Sequence, residues 1–206
     1  MSNLNISFTS PVCTFGFPKL DAPDTAFNAD GVYSVDLILD PNNTSGSFRI
    51  GDENFDTGHA GFIQAITEMV TNVEGSSKYP AKNPVLKADN DRDGNSTGLL
   101  RLRVSSKAVI QGNAVKPSAF DAQGSPTTMP RVGGGTTGRV AGKLVSYDGP
   151  STGCGISRRL NSVQIVELKE YSVGNEAFGA VEGGTFEANS AAEGTAGTNG
   201  GGAYDL

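Results

Sequence analysis

Residues that could carry out enzyme chemistry are scarce in this 206-residue chain. His59 is its only histidine and stands at a predicted helix start, so we expect no histidine-based triad, dyad or metal cluster. The glycine-rich stretch VGGGTTGRV (132–140) lacks the GxxxxGK[ST] spacing of a phosphate-binding loop, and a strand pattern rather than a helix follows it. No pair of carboxylates can be assigned as acid and base. We therefore expect neither enzyme activity nor a cofactor.

The stretch DNDRDG resembles the first half of an EF-hand calcium loop. Its matching residues are Asp89, Asp91, Asp93 and Gly94. An EF-hand requires a bidentate glutamate at its twelfth position and a helix on each side, whereas this chain has Leu100 there and extended segments around it. An Asp/Gly turn between two strands explains the same residues without a metal. We therefore predict a turn and no metal site.

The basic residues fall in rows on predicted strands and give the strongest positive signal. Residues two apart in a strand share a face, so LLRLRV (99–104) and RVAGKLVSY (139–147) each separate an apolar side from a basic one. A third strand, CGISRRLNSVQIVEL (154–168), adds two arginines, and its apolar phase slips near Asn161 and Ser162, which indicates a bulge or burial on both faces. The predicted nucleic-acid-binding residues are Arg101, Arg103, Lys107, Arg139, Lys143, Tyr147, Arg158 and Arg159.

Such rows suit a single-stranded nucleic acid, because cations follow the phosphate backbone while an aromatic side chain stacks on a base. Residues 99–169 hold ten basic and three acidic side chains, although the whole chain has a net charge of −6. A solvated sheet face would explain one basic row, but two rows in one basic segment favour a binding surface. The chain has no tryptophan, so additional stacking would fall to Phe15 and Phe17, for which we favour core packing.

Short strands and one helix must position these residues. VYSVDLIL (32–39) alternates as a half-buried strand, and HAGFIQAITEMVTNVE (59–74) carries an apolar stripe at helical spacing. We predict an all-β fold of five or six strands over residues 1–173, with the helix between the second and third, that forms a small closed or nearly closed barrel. Cys13 and Cys154 are predicted to be buried thiols in a reducing cytoplasm. No apolar run is long enough to span a membrane.

The C-terminal segment, residues 174–206, has the composition of a disordered acidic tail. From Glu170 onward there are six acids and no base. A flexible acidic segment can occupy a cationic groove as a mimic of nucleic acid, at an effective concentration of the order of millimolar. The terminal residues Tyr204, Asp205 and Leu206, with their free carboxylate, suit a small pocket on a partner protein.

The order of several motifs resembles the replication single-stranded DNA-binding proteins of T-seven-like podophages and related phages. The motifs F-P-K-L, P-D and G-V-Y-S-V-D-L follow one another within residues 17–37, and the turn and basic strand DNDRDGNSTGLLRLRVSS come next. PRVGGGTTGRVAGKLVSY and NSVQIVELKEY continue the match, and an acidic tail with a hydrophobic last residue completes it. The resemblance covers most of the chain and rests on this shared order rather than on any single motif.

The resemblance implies an OB-fold with a helix between its second and third strands, and non-sequence-specific binding of single-stranded DNA. It implies a homodimer that acts in DNA replication, recombination and repair in the cytoplasm of an infected bacterial host. Its tail would compete with DNA and contact replication proteins such as the polymerase and the helicase-primase. Tyr147 matches a base-stacking aromatic of that family, and Arg139 matches a basic position. The tail departs from the family's in being less acidic and in ending with Leu206 instead of phenylalanine.

Two other interpretations fit the same sequence. A structural barrel or sandwich module of a virion would bind protein, with the basic rows as surface charge and the tail as a tether. That module would show no salt-dependent affinity for DNA. An RNA-binding OB module has the same sequence features as a DNA-binding one.

Overall fold

A computed structural model describes residues 4–170 of the chain. The strands of this part are β1 (Asn5–Thr9), β2 (Cys13–Asp24), β3 (Val32–Leu39), β4 (Phe48–Ile50), β5 (Glu53–Phe55), β6 (Leu86–Asn90), β7 (Ser96–Lys107), β8 (Val109–Ile110), β9 (Asn113–Ala114), β10 (Ser118–Phe120), β11 (Pro126–Thr127), β12 (Thr137–Gly149) and β13 (Gly153–Glu167). The helix α1 (Gly58–Ser76) lies between β5 and β6 in the sequence. Within residues 4–170, no helix has both the length and the apolar character that crossing a membrane requires. The predicted tail, 174–206, lies outside the described residues.

Five long strands close into a ring in the order β2–β3–β7–β13–β12 and back to β2. Neighbours in the ring are antiparallel except for β7 and β13, which are parallel. Closure comes from β12, which pairs with β13 along its length and with β2 at Thr137 and Gly138. The helix lies between the second and third strands of this ring in the sequence. This is the strand order of an OB-fold, so the predicted five-stranded barrel with one inserted helix is confirmed.

The alternation of apolar and polar residues explains why these segments form the barrel wall. On β7, Leu102 and Val104 are completely buried while Arg103 between them is exposed. On β12, Val140 and Leu144 are likewise completely buried. The pairing of β12 with β13 shifts at Ala141–Gly142, where Asn161 is the extra residue, and the predicted bulge is therefore confirmed.

The helix packs its apolar stripe onto aromatic side chains of the barrel. Phe62 is fully buried, with its ring centroid 5.3 Å from that of Phe48 and 6.2 Å from that of Phe8. His59 is also buried at the start of the helix, where its Nδ1 accepts the N–H of Asp40 at 3.0 Å and its Nε2 donates to the carbonyl of Val12 at 2.8 Å. The histidine therefore joins the helix to two barrel connections and is structural.

The first two residues of DNDRDG end β6, and the rest of the stretch lies in the predicted turn before β7. The Asp91 carboxylate accepts the backbone N–H groups of Asp93 and Asn95 at 2.9 Å each, and the hydrogen bonds with Asn95 are the main cause of a lowered pKa of Asp91. These bonds account for the aspartate as a turn residue. Among residues 4–170, no cluster of three or more His, Cys, Asp or Glu side chains is arranged to hold a metal.

Both cysteines are buried and free, which confirms that they are buried thiols, while the reducing cytoplasm stays a prediction. Burial raises the pKa of the Cys13 thiol to about 12. At about pH 8 roughly one Cys13 in ten thousand would then be a thiolate, the form that alkylating agents attack. We expect iodoacetamide to leave Cys13 unmodified in the folded chain and to label both cysteines in denaturant, as read by mass spectrometry. Fast, complete labelling of Cys13 in the folded chain would contradict this environment.

Candidate nucleic-acid interface

A row of register partners runs across the outside of the barrel and connects basic residues from separate strands. Lys143 on β12 is paired with Arg159 on β13, and Arg159 with Ser105 on β7. Ser105 is paired with Ser34 on β3, which is paired with Lys19 on β2. Residues directly opposite each other share a face of the sheet, and strands lie about 4.8 Å apart, so the row extends roughly 19 Å around the barrel. We call the surface formed by these five residues and the outward-facing residues beside them on the same strands the basic face.

Further predicted residues lie on either side of this row. Arg103 and Lys107 flank Ser105 on β7, and Tyr147 lies four residues beyond Lys143 on the same face of β12. The Arg103 guanidinium donates to the hydroxyl of Ser34 at 3.0 Å, which fixes it against β3. The structure therefore brings together the predicted residues Arg103, Lys107, Lys143, Tyr147 and Arg159, and the four cations among them are exposed.

The tyrosine ring lies across its neighbouring strand. Tyr147 is paired with Gly155 on β13, and a Cβ at Gly155 would stand 2.6 Å from the Tyr147 hydroxyl oxygen and 2.8 Å from Cζ. Only a glycine leaves room for the ring at this distance. Tyr147 therefore presents a half-exposed aromatic surface beside the cations, and Gly155 positions it.

Arg158 does not belong to the exposed set, although it neighbours Arg159 in the sequence. Its Nε donates to the carbonyl of Arg103 at 2.9 Å and its Nη1 to the carbonyl of Ile156 at 3.2 Å. Burial lowers its pKa, and the nearby Tyr147 partly opposes this. Because β13 and β7 are matched in register only at Arg159 and Ser105, the Arg158 side chain supplies a hydrogen bond across the seam that closes the barrel.

Replacing Arg158 with alanine should therefore lower stability. Loss of a half-buried charged donor that satisfies a backbone carbonyl typically costs about 1.5–3 kcal/mol of the free energy of unfolding. Urea unfolding would measure it, with the exposed neighbour Arg159→Ala as the matched control, which should change stability by less than about 0.5 kcal/mol. Equal effects of the two substitutions would show that Arg158 has no special role at the seam.

Arg139 is held away from the central row. Its Nε donates to the carbonyl of Ser10 at 3.0 Å and its Nη2 to the carbonyl of Ser47 at 2.9 Å. It lies four residues before Lys143, roughly 13 Å along the strand. These bonds tie the link between β1 and β2 to the approach to β4. Contact of Arg139 with phosphate stays a prediction, with two of its donors already engaged in the free protein.

Arg101 is engaged by two carboxylates. Its Nε donates to Asp89 at 3.1 Å, its Nη2 also pairs with Asp89, and its Nη1 is 3.7 Å from Asp36. Asp36 is itself buried beneath these side chains, and burial raises its pKa while Arg103 and Arg101 oppose that rise. The outer side of β3 is consequently covered rather than half-exposed as the alternation predicted. Arg101 lies on the basic face with its charge already matched.

The two phenylalanines of β2 have opposite environments. Phe15 is fully buried in the barrel core, as predicted, but Phe17 is 68% exposed, so core packing was the wrong prediction for it. The cause is a bulge: Gly16 pairs with Asp36 and Lys19 with Ser34, which leaves two residues of β2 opposite one of β3. Phe17 thereby turns out onto the basic face, where sequence alternation placed it inside. The Gly16–Phe17–Pro18 sequence is the one local signal for such a bulge.

Known structures share this architecture. The single-stranded DNA-binding protein gp2.5 encoded by bacteriophage T7 superposes with a TM-score of 0.60 over 88% of this chain and 98% of its own, at 19% sequence identity. The single-stranded DNA-binding protein of bacteriophage Enc34 in complex with single-stranded DNA superposes with a TM-score of 0.53 over 80% of this chain and 88% of its own, at 14% identity. The chain has the fold of these phage proteins. No protein-family model matches the sequence, and no curated protein matches it.

Because sequence identity is low, these comparisons show the fold and do not identify the residues of the interface. The terminal residues Tyr204, Asp205 and Leu206 lie outside the described residues. The predicted homodimer and the predicted contacts of the tail stay predictions.

Proposed function

We propose that this chain binds single-stranded DNA without sequence specificity, through the basic face. The observation that carries the proposal is the row of register partners through Lys143 and Arg159. Arg103, Lys107 and Tyr147 lie beside this row on the same surface. The proposal is supported by the fold, which two phage single-stranded DNA-binding proteins share at low sequence identity. The same OB-fold surface is available in this chain to an extended polyanion.

The proposed mechanism is equilibrium binding without a chemical step, so the chain needs no cofactor. Among residues 4–170, neither Lys143 nor Arg159 has an acid within ion-pair distance, so both can exchange water and counterions for phosphates. Tyr147 supplies a stacking surface that accepts any base, because every base has a π-face. Cations and one flat ring give affinity without reading base edges, which is why we expect no sequence preference.

Fluorescence anisotropy of labelled oligo-dT with the full chain tests the proposal. With four phosphate contacts, the affinity should fall roughly 50-fold between about 50 and 200 mM salt, since each contact to a single strand contributes about −0.7 to the logarithmic slope. A duplex of equal length should bind more weakly, because its bases cannot reach Tyr147. Absence of binding, or salt-independent binding, would contradict the proposal and favour the structural module. Equal competition by oligo-U would extend the function to RNA.

We further propose that the chain acts in phage DNA replication and recombination, as a homodimer in the host cytoplasm, with a tail that competes with DNA and contacts replication proteins. The supporting observations are the composition of the tail and the order of motifs along the chain. A chain ending at Tyr171 should bind oligo-dT more tightly than the full chain at low salt, because the five acids that follow Tyr171 would no longer compete for the cations. Equal affinities of the two chains would show that the tail does not compete with DNA.

A further inference from the structure

Phe17 stands in a backbone conformation that side chains rarely adopt. Its φ is +46°, in the left-handed region, and the bulge between Gly16 and Lys19 holds it there. The residues next to it in the alternation, Phe15 and Leu20, are completely buried, whereas 68% of Phe17 is exposed. A left-handed backbone and an exposed aromatic each cost free energy in the free protein, and such outliers cluster at ligand sites. The fold itself gains no core packing from this ring.

Arg101 lies directly against this ring and is fixed from its other side. Its guanidinium carbon is 5.2 Å from the centroid of the Phe17 ring. Asp89 and Asp36 both pair with it, and Thr97 in turn donates to Asp89 at 2.9 Å. The guanidinium is thus paired with two carboxylates, and its Nε and Nη2 both donate to Asp89.

The alternative use of Arg101 is as a phosphate contact. A phosphate would have to displace Asp89 and approach Asp36, a carboxylate buried in the centre of the same face. Like charges would repel it there. A cation beneath an aromatic ring, by contrast, needs no displacement and strengthens the ring as a stacking surface. The contacts of Arg101 therefore favour a positioning role.

We propose that Phe17 is a second base-stacking subsite for single-stranded nucleic acid, and that Arg101, held by Asp36 and Asp89, positions and backs its ring instead of binding phosphate. This inference rests on the proposed function and adds to it a nucleobase site on β2, at the other end of the row of register partners from β12, which carries Tyr147. It assigns Arg101 a role different from that of Lys143 and Arg159. The subsite accepts any base, since only stacking is involved.

The absence of tryptophan makes a direct test possible. Phe17→Trp in the full chain places the chain's single tryptophan at the subsite, and we expect the tryptophan emission to be quenched when oligo-dT binds. Phe27→Trp is the matched control, because Phe27 is a fully exposed phenylalanine on the loop between β2 and β3. Quenching at position 17 and little at position 27 supports the subsite. No quenching at position 17 at saturating oligo-dT overturns it.

Salt dependence separates stacking from phosphate contact. Phe17→Ala should weaken oligo-dT binding by roughly 5- to 150-fold, with the salt slope unchanged. Arg101→Ala should weaken binding less and also leave the slope unchanged, whereas loss of a phosphate contact would reduce the slope by about 0.7. A reduced slope for Arg101→Ala overturns its positioning role.

If the unaltered chain does not bind oligo-dT, the proposed function fails; if it binds and Phe17→Ala binds equally well, only the subsite fails.

Discussion

Lys143 and Arg159, replaced together by alanine, are expected to weaken oligo-dT binding about 150-fold at low salt, because each charged contact contributes roughly 1.5 kcal/mol. The logarithmic salt slope should fall by about 1.4, the share of two phosphates. The reason is structural: the two side chains are register partners in the centre of the basic face, both exposed, and neither has an acid within ion-pair distance among residues 4–170. Anisotropy titrations at several salt concentrations measure both quantities.

The control for this pair is a loss of equal charge elsewhere. Lys116 and Arg131 are exposed and lie outside the strands of the barrel. Their joint replacement by alanine should change the affinity for oligo-dT only through the net charge of the chain. The logarithmic salt slope should stay nearly unchanged. Both double variants should keep their stability to within about 1 kcal/mol, since surface substitutions usually cost little. Equal losses in the two variants would mean that the basic face has no privileged role.

Tyr147→Ala is expected to weaken oligo-dT binding by about 5- to 150-fold, the range that one lost base stack covers. Its salt slope should not change, because no charge is removed. Tyr147→Phe keeps the ring and should bind within about twofold of the original chain, since stacking needs the π-face and not the hydroxyl. Titrations with oligo-dT and a mixed-sequence strand would show whether the loss is independent of sequence, as we predict.

A second variant tests the same ring without removing it. Gly155→Ala would place a methyl group 2.6 Å from the Tyr147 hydroxyl oxygen, so the ring must move. Affinity should fall although the tyrosine is retained. Unchanged binding by Tyr147→Ala would exclude stacking at this position, and unchanged binding by Gly155→Ala alone would show that the placement of the ring is not critical.

The sequence predicts the strands and their inward residues well, because burial imposes a two-residue period that a single strand displays. The bulge near Asn161 was also visible as a slip in that period. Pairing between distant strands leaves no such trace. That Arg159 faces Lys143 on one side and Ser105 on the other depends on long-range register, so the continuity of the basic face could not be predicted from the rows alone.

Local contacts explain where the structure differs from what the sequence pattern suggests. Arg158 and Arg159 look equivalent in sequence, but consecutive residues of a strand point to opposite sides, and Arg158 turns to the seam with β7. Phe17 follows Phe15 at the spacing of a core strand, and the bulge at Gly16–Lys19 reverses its direction. Arg101 looks like a free cation until the β6–β7 hairpin places Asp89 beside it. Each depends on a contact between elements rather than on local propensity.

The most direct test of the central claim is ultraviolet cross-linking of oligo-dT to the full chain, with the attached residues mapped by mass spectrometry. Zero-length cross-links report which aromatic side chains touch bases. We predict attachment at Tyr147 on β12 and at Phe17 on β2, both lost at high salt. Cross-links confined to aromatic residues away from the basic face, such as Tyr79 after the helix or Phe55 on β5, would contradict it and place the binding surface elsewhere on the barrel.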